Sequence, residues 1–188
     1  MSLKIDVSKK EVLGLGNTVI GKPESLGEHR GCEVIAEYLL KEKVPYLLGY
    51  AGHAAIGLLD GIYDHRDKIQ LVWPRIEQAA GFMADAYFRL TKVPLPVFCS
   101  TGPGPANMSI AVANAFFDSS AFLLFTGQVT TDQFDTGALQ EPYRYFPADF
   151  PSVLMPYTKH SYQAHSVEQI ARFLPLSLIH ISEPTRPY

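Results

Sequence analysis

One carboxylate, Glu77, stands where a strand-like run of the sequence gives way to a helix-like one. The run before it, KIQLVW, has the apolar character of a short buried strand. The run after it repeats apolar residues every three or four positions, which predicts an amphipathic helix that begins at Glu77. The apolar face predicted for this helix consists of Ile76, Ala79, Ala80, Met83, Tyr87 and Leu90.

Position alone leaves two interpretations of Glu77 open. A carboxylate in the first turn of a helix gains a few tenths of a kcal/mol from the helix dipole, and this could be its whole role. The side chains expected around it are apolar or small, however, and an unpartnered carboxylate among them would cost several kcal/mol. Glu77 therefore needs a hydrogen-bonding ligand, unless it is more exposed than expected. A carboxyl group in such a place suits proton exchange with a heterocyclic nitrogen.

Other motifs offer less specific chemistry. The run STGPGPAN could hold an anion with its backbone N–H groups, but a tight strand-to-helix turn needs the same glycines. It lacks the Lys-Ser/Thr pair of a P-loop and the spacing of a dinucleotide motif. His53 is either a catalytic base or a capping or surface residue. Ser100 and Ser109 lack the G-x-S-x-G context of a serine hydrolase, and the histidines lack metal-site spacing, so no metal ligand is predicted.

Composition restricts the class of protein. The chain has 188 residues, 47% hydrophobic and 19% charged, which is enough apolar material for one sizeable core. Its formal net charge of -3 and the lack of a Lys/Arg stripe argue against nucleic acid or an anionic membrane as a partner. We find no signal-peptide core in the first ten residues and no apolar run of the roughly 18 residues that a membrane span needs. Cys32 and Cys99 are the only cysteines, so a disulfide framework is not expected and a reducing compartment fits. Together with the absence of a signal peptide and a membrane span from the sequence, this predicts a soluble, cytoplasmic protein.

Short apolar runs alternate with longer helical patterns after the first thirty residues. The predicted strands are VPYLLGY, KIQLVW, LPVFCS and AFLLFTG, and helices are predicted over CEVIAEYLLKEK, AAIGLLDGIYD, the Glu77 segment and PANMSIAVANAFFDS. Strands this apolar are buried on both faces, which predicts a doubly wound α/β fold with a mainly parallel sheet and helices on both faces. The loops GYAGH, WPRIEQ, STGPGPAN and TGQVTTDQ then open on one edge of the sheet, where ligands of such folds bind.

The two ends and the region after the last predicted strand follow no such alternation. Residues 1–30 are a polar lead-in, and residues 128–158 are predicted to form a long ordered loop because they are rich in aromatic residues. VEQIARFLP predicts another helix, which LSLIHISEPTRPY is expected to interrupt. Residues 176–188 form a Pro-rich tail, of which residues 176–186 can be back-translated to a sequence that looks like a transposase sequencing adapter. We therefore expect them to be non-native and the natural chain to continue after Pro175; a genuine C-terminal extension is the alternative.

Four separated motifs resemble the N-terminal pyrimidine-binding domain of thiamine-diphosphate-dependent enzymes, most of all the acetolactate synthase group. They are RIEQAAGFMADAYFRLT, STGPGPANMSIAVANAFFDS, LLFTGQV and ALQE, in the order and spacing of that domain. The resemblance covers residues 31–175, because PYTKHSYQAHSVEQIARFLP is similar to the end of the same domain. It implies that Glu77 is the glutamate that binds N1′ of the cofactor's aminopyrimidine, and that Gln140 lies near the reacting centre.

The resemblance also implies roles for residues around Glu77. The positions that match cofactor-binding residues are Tyr50, Gly52, Glu77, Ser100, Gly102, Pro103 and Asn107, and those that match substrate-side residues are His53 and Lys159. Plainer alternatives stay open, since Tyr50 could be a core residue, Asn107 a helix cap and Lys159 a solvated charge. Ile76 replaces the usual His before the glutamate, and DSSA and DTGALQE depart from the common D-S-V-P and T-D-A-F-Q-E. Donor and acceptor substrates therefore stay open.

The implied function is that of half an active site. Enzymes of this kind decarboxylate a 2-oxo acid and join the product to a second substrate. They bind the diphosphate of thiamine diphosphate through Mg²⁺ in a separate domain, whose G-D-G motif is not found here. The full-length protein is expected to be a homodimer or homotetramer, and a requirement for FAD stays open. The alternatives are another thiamine-diphosphate decarboxylase or acetyltransferase, or a non-catalytic binding module of the same fold.

Overall fold

The computed structural model describes residues 29–133, 136–138, 140 and 150–182. Its strands are β1 (Tyr46–Gly49), β2 (Gln70–Val72), β3 (Pro96–Cys99) and β4 (Leu123–Thr126). Its helices are α1 (Gly31–Lys41), α2 (Ile56–Tyr63), α3 (Glu77–Thr91), α4 (Pro103–Phe117), α5 (Phe150–Leu154) and α6 (Val167–Ser182), with short 3-10 turns at His53–Ala55, Thr131–Gln133 and Met155–Tyr157. Each of the four predicted strands and the first four predicted helices is found within a few residues of its expected position, and the fifth predicted helix begins where expected, at Val167.

All strand pairs in the sheet are parallel. The spatial order is β2-β1-β3-β4, and Leu48 of β1 pairs with Val72 of β2 on one side and Val97 of β3 on the other. The chain moves from β1 outward to β2 and then crosses to β3, so the direction of winding reverses between β1 and β3. In sheets of this kind, ligands bind at the carboxyl ends of the two strands that flank the reversal.

Helices cover both faces of the sheet. Leu47 and Phe98 point to one face and pack with α1 and α2, where Ala36, Leu39 and Ile62 are buried. Their neighbours Leu48, Val97 and Cys99 point to the other face and pack with Ala80, Ala84, Met108 and Val112 of α3 and α4. Because successive side chains of a strand alternate between faces, strands this uniformly apolar require cover on both sides. The predicted doubly wound α/β fold is confirmed.

The inward face of α3 differs from the predicted one. Its buried residues are the small or polar Ala80, Gly81, Ala84 and Asp85, whereas the predicted core residues Ile76, Met83 and Leu90 are exposed, Leu90 by 86%. The reason is the close approach of α4, since a Cβ on Gly81 would lie 2.5 Å from the Cβ of Ala111. Small side chains let two helices approach this closely, and periodicity of large apolar residues does not reveal such a contact.

Two predictions for the C-terminal part were wrong. The helix α6 is not interrupted at Pro175 but continues to Ser182, with Leu174 buried against Val34 and Tyr38 of α1. Pro175 cannot donate a helix hydrogen bond, and the packing of Leu174 on α1 offsets the free energy that this loss costs. Residues 150–157 of the predicted long loop are helical, because Leu154 is buried and α5 packs on α4.

Residues 1–28 of the lead-in, residues 134–135, 139 and 141–149 of the predicted loop, and residues 183–188 of the predicted tail lie outside the described residues. In the ranges that the structure describes, no helix combines the length and the apolar character of a membrane span.

A buried acid joins α3 to the end of α4. Asp85, 5% exposed, accepts hydrogen bonds from Arg89 Nε at 3.0 Å and from Asn114 Nδ2 at 2.9 Å. Arg89 also pairs with Asp118, which caps the C-terminus of α4. Burial alone would raise the pKa of Asp85, but the hydrogen bonds from Arg89, Ser120 and Asn114 outweigh it and hold this pKa below its usual range.

We expect Asp85→Asn to lower the free energy of unfolding by about 1–3 kcal/mol at pH 7, because the charged hydrogen bonds to Arg89 are lost. The pKa of Asp85 is lower in the folded than in the unfolded chain, so its contribution is complete above about pH 4 and disappears as the pH falls below that. Urea unfolding at pH 7 and pH 3 measures this. Asp67→Asn, an exposed control, should change little; an Asp85→Asn deficit that stays constant with pH would contradict the assignment.

Candidate functional site

The loops after β1 and β3 touch at the carboxyl edge of the sheet. A Cβ on Gly52 would lie 2.4 Å from the Cβ of Ser100, so the loop approach requires glycine. The backbone N–H of Ala54 donates to Ser100 Oγ at 3.3 Å, which fixes the same contact. The structure thus brings Gly52 and Ser100 together where the winding of the sheet reverses.

The turn into α4 is built around Gly102. This residue is the N-cap of α4 with φ 63° and ψ -113°, a conformation that L side chains rarely adopt, and Pro103 follows as the first residue of the helix. A Cβ on Gly102 would lie 2.9 Å from the Cβ of Gln140. Thr101, which is buried, donates from Oγ1 to the backbone carbonyl of Gln140 at 3.2 Å. Gln140 is therefore attached to this turn from a distant part of the chain.

Glu77 and Asn107 join the first turn of α3 to the second turn of α4. Asn107 Nδ2 donates to Glu77 Oε2 at 3.0 Å, and Glu77 is half-buried. The expectation that Glu77 lacks a protein partner was therefore wrong for one of its two oxygens, since an amide one turn into α4 reaches it. The alternative that Asn107 is a helix cap is also wrong, because Gly102 caps α4 and Asn107 lies inside the helix.

The other oxygen of Glu77 faces the glycine of the same turn. A Cβ on Gly104 would lie 3.8 Å from Glu77 Oε1 and 3.4 Å from the Cβ of Cys99, both ordinary van der Waals distances. Gly104 is thus not required by a clash within the chain, since a Cβ would fit between Cys99 and Oε1. Glycine is the residue that lets a ligand approach backbone closely. Burial raises the pKa of the Cys99 thiol to about 12, and the charge of Glu77 adds a smaller effect. The thiol next to Gly104 is therefore neutral at physiological pH.

Exposed aromatic and apolar side chains surround this edge. Tyr50 follows β1 and is exposed, so the alternative that it is a core residue is wrong. His53 is exposed at the start of its 3-10 turn. Trp73 follows β2 with an exposed ring that packs edge-on against Phe98, the centroids 5.9 Å apart, and Ile76 is exposed as the N-cap of α3.

The predicted substrate-side residue Lys159 is located by the described contacts only through its neighbour Tyr157. It is exposed and follows Tyr157 by two residues. The ring of Tyr157 packs against Phe116 and Phe117, with centroids 6.3 and 6.1 Å away, at the C-terminal end of α4. A helix of this length spans about 20 Å, so it is Tyr157, two residues before Lys159, that contacts the end of α4 away from Asn107.

Sequence reasoning missed two residues of the site. Thr101 carries the link to Gln140, and a signal for it existed, since a hydroxyl buried beside a glycine turn must find a partner. Trp73 is the last residue of the run KIQLVW and follows β2 at the carboxyl edge, where its ring is exposed. Within the described residues, no group of three or more His, Cys, Asp or Glu side chains could hold a metal ion.

The arrangement is suited to a neutral heteroaromatic ring. Glu77 presents Oε1, and the hydrogen bond from Asn107 to Oε2 fixes its orientation. Gly104 places no side chain beside Oε1, and the neighbouring Cys99 thiol is neutral. These groups can exchange a proton with a ring nitrogen. They do not supply the positive charges that a diphosphate needs.

Comparison with known proteins gives a family and a set of relatives. The family described as "Thiamine pyrophosphate enzyme, N-terminal TPP binding domain" matches residues 29–147. The chain is 38% identical over 111 residues to the acetolactate synthase, mitochondrial, of Schizosaccharomyces pombe, covering 59% of this chain and 16% of that protein. It is 34% identical over 140 residues to the acetolactate synthase catalytic subunit, mitochondrial, of Saccharomyces cerevisiae, covering 74% and 19%. It is 31% identical over 157 residues to the acetolactate synthase large subunit of Haemophilus influenzae, covering 84% and 26%. The chain therefore spans only about a quarter or less of these relatives.

We expect Gly102→Ala to destabilise the chain by about 1–3 kcal/mol, because alanine is strained at this positive φ and its Cβ meets Gln140. Gly57→Ala is the matched control, since a Cβ there meets nothing within 4 Å. The control should be neutral or more stable by up to about 1 kcal/mol, as alanine favours a helix over glycine. Urea unfolding of both variants measures the difference, and equal stabilities would refute the strained turn.

Proposed function

Because the chain belongs to the thiamine pyrophosphate enzymes through their N-terminal TPP-binding domain, we propose that it activates this cofactor in an acetolactate synthase-like carboligase acting on a 2-oxo acid. The observation that carries the proposal is the Asn107–Glu77 hydrogen bond beside the vacant side-chain position of Gly104. The relatives are named as acetolactate synthases and their catalytic subunits. A non-catalytic binding module of the same fold is therefore not favoured.

The residues around Glu77 fit the aminopyrimidine ring of thiamine diphosphate. Glu77 Oε1 lies beside room left by Gly104, and the uncharged Cys99 thiol borders the same space. A flat ring with a nitrogen toward Oε1 needs this combination of a proton-exchanging carboxyl group and a wall without side chains or charge. Asn107 occupies Oε2, so Oε1 is the oxygen available to the ring.

In the proposed mechanism, Glu77 exchanges a proton with N1′ of the aminopyrimidine. When bound, thiamine diphosphate supplies a nucleophilic carbon at C2 of its thiazolium ring. Asn107 fixes the rotation of the Glu77 carboxyl group through Oε2, which removes an entropy cost from the proton transfer at Oε1. Tyr50, Gly52, Ser100, Gly102 and Pro103 line the cofactor in this proposal, and Gln140 lies near the reacting centre. His53 and Lys159 are proposed to face the substrates.

The remaining parts of the proposal concern the larger protein. The diphosphate and its Mg²⁺ bind a domain that is not among these residues, and the active site forms in a homodimer or homotetramer. Residues 31–175, without the lead-in and the tail, are the proposed domain unit, and FAD is a second candidate cofactor of the full-length protein. Both cysteines are free thiols, which fits a reducing compartment, and we propose the cytoplasm.

In the full-length protein that carries this domain, Glu77→Gln should slow the exchange of the C2 proton of bound thiamine diphosphate by at least about 100-fold, because glutamine cannot exchange a proton with N1′. Proton NMR after a deuterium-oxide quench measures the rate. Glu37→Gln, on the exposed side of α1, is the matched control and should leave the rate unchanged. An unchanged rate in Glu77→Gln with an intact circular dichroism spectrum would end the catalytic assignment.

The 188-residue chain alone should not turn over pyruvate and should bind thiamine diphosphate only weakly, because the G-D-G motif of the diphosphate-binding domain is not found in its sequence. Carbon dioxide release and isothermal titration calorimetry measure the two properties. Decarboxylation of pyruvate by the chain would overturn the proposal that it is half of an active site.

A further inference from the structure

Thr101 is a buried hydroxyl with two oxygens in reach. It is 3% exposed, and its Oγ1 lies 3.2 Å from the backbone carbonyl oxygen of Gln140 and 3.5 Å from Gln128 Oε1. A threonine hydroxyl has one proton to donate. Gln128 Oε1 already accepts a hydrogen bond from the N–H of Val129 at 2.8 Å. The carbonyl oxygen of Gln140 is closer to Oγ1, and Gln128 Oε1 already has another donor. The Thr101 hydroxyl therefore donates its proton to Gln140.

The backbone of Gln140 has a conformation that needs outside support. Its φ of 65° is uncommon for a residue with a side chain, and such a conformation persists where its surroundings determine it. Two consecutive residues supply that support. Thr101 holds the carbonyl oxygen of Gln140, and Gly102 leaves the space that the Cβ of Gln140 occupies, 2.9 Å from where its own Cβ would be.

This two-point attachment sets the direction in which the Gln140 side chain leaves the backbone. The attachment point is the N-cap of α4, two residues before Gly104 and five before Asn107. Rotation of the Gln140 backbone would move its Cβ away from the start of α4. A hydroxyl at position 101 therefore controls where an amide side chain stands relative to the space beside Glu77.

We propose that Thr101 is a positioning residue that fixes Gln140 at the start of α4, next to the proposed cofactor site. The inference rests on the proposed function for its catalytic consequence, but the attachment itself does not. Thr101 acts through the Gln140 carbonyl and touches neither Glu77 nor Asn107 in the hydrogen bonds described. Its loss should therefore impair the reaction without impairing activation of the cofactor.

The attachment is tested in the 188-residue chain by ¹⁵N relaxation. Thr101→Val keeps the shape of the side chain and removes the donor, and Thr101→Ser keeps the donor. We expect the order parameter of the Gln140 amide to fall from about 0.85 to below about 0.6 in Thr101→Val and to be restored in Thr101→Ser. An unchanged order parameter in Thr101→Val would overturn the attachment, whatever the fate of the proposed function.

The catalytic consequence is tested in the full-length protein. Thr101→Val should lower kcat by about 10- to 100-fold, as misplaced reacting groups do, with the KM for thiamine diphosphate and the C2 exchange rate unchanged. Thr101→Ser should recover most of kcat. A wild-type kcat in Thr101→Val would refute the positioning role, and an equal loss in both variants would show that the methyl group matters and refute it also. Loss of C2 exchange in Glu77→Gln belongs to the other test, so the two proposals fail separately.

Discussion

The hydrogen bond from Asn107 to Glu77 is the contact on which the account depends. It joins the first turn of α3 to the second turn of α4, two helices that follow different strands of the sheet. A carboxylate with one oxygen held and the other beside a glycine has a defined orientation, whereas a free carboxylate at a helix start would rotate. Because Gly104 has no side chain, none of its atoms occupies the position beside Oε1. Chemistry at Glu77 therefore requires the correct relative position of α3 and α4, and the remainder of the fold supplies it.

The position of α3 against α4 is fixed at both ends and in the middle. Glu77 and Asn107 join the helices at the carboxyl edge of the sheet, and Asp85 accepts from Asn114 further along them. Between these links the small residue Gly81 lets the backbones approach. The polar links specify the register of the two helices, and the small residues specify their distance. Substitution of Asp85 would therefore shift α3 relative to α4 and also lower the free energy of unfolding.

The sequence predicted the sheet well because apolar strands and helical periods leave a strong pattern, and the carboxyl-edge loops followed from the parallel order. Glu77 was recognisable from its position between strand and helix. The hydrogen bond from Asn107 to Glu77 could not be predicted from the sequence, since nothing near Glu77 in the chain indicates that a residue thirty positions later bonds to it. The exposed Met83 and Leu90 were misassigned because their spacing is that of a buried face, and only the neighbouring helix decides which side is buried. The predicted interruption of α6 after Pro175 is wrong for the same reason, because the packing of Leu174 on α1 is a tertiary effect.

The central claim is that Glu77, oriented by Asn107, shares a proton with the pyrimidine nitrogen of the cofactor. The most direct measurement is the ¹⁵N chemical shift of N1′ in ¹⁵N-labelled thiamine diphosphate bound to the full-length protein. The account predicts a shift toward the protonated form in the wild-type protein, a return to the neutral value in Glu77→Gln, and an intermediate value in Asn107→Leu. Identical N1′ shifts in the wild-type protein and Glu77→Gln, with the cofactor bound in both, would contradict it.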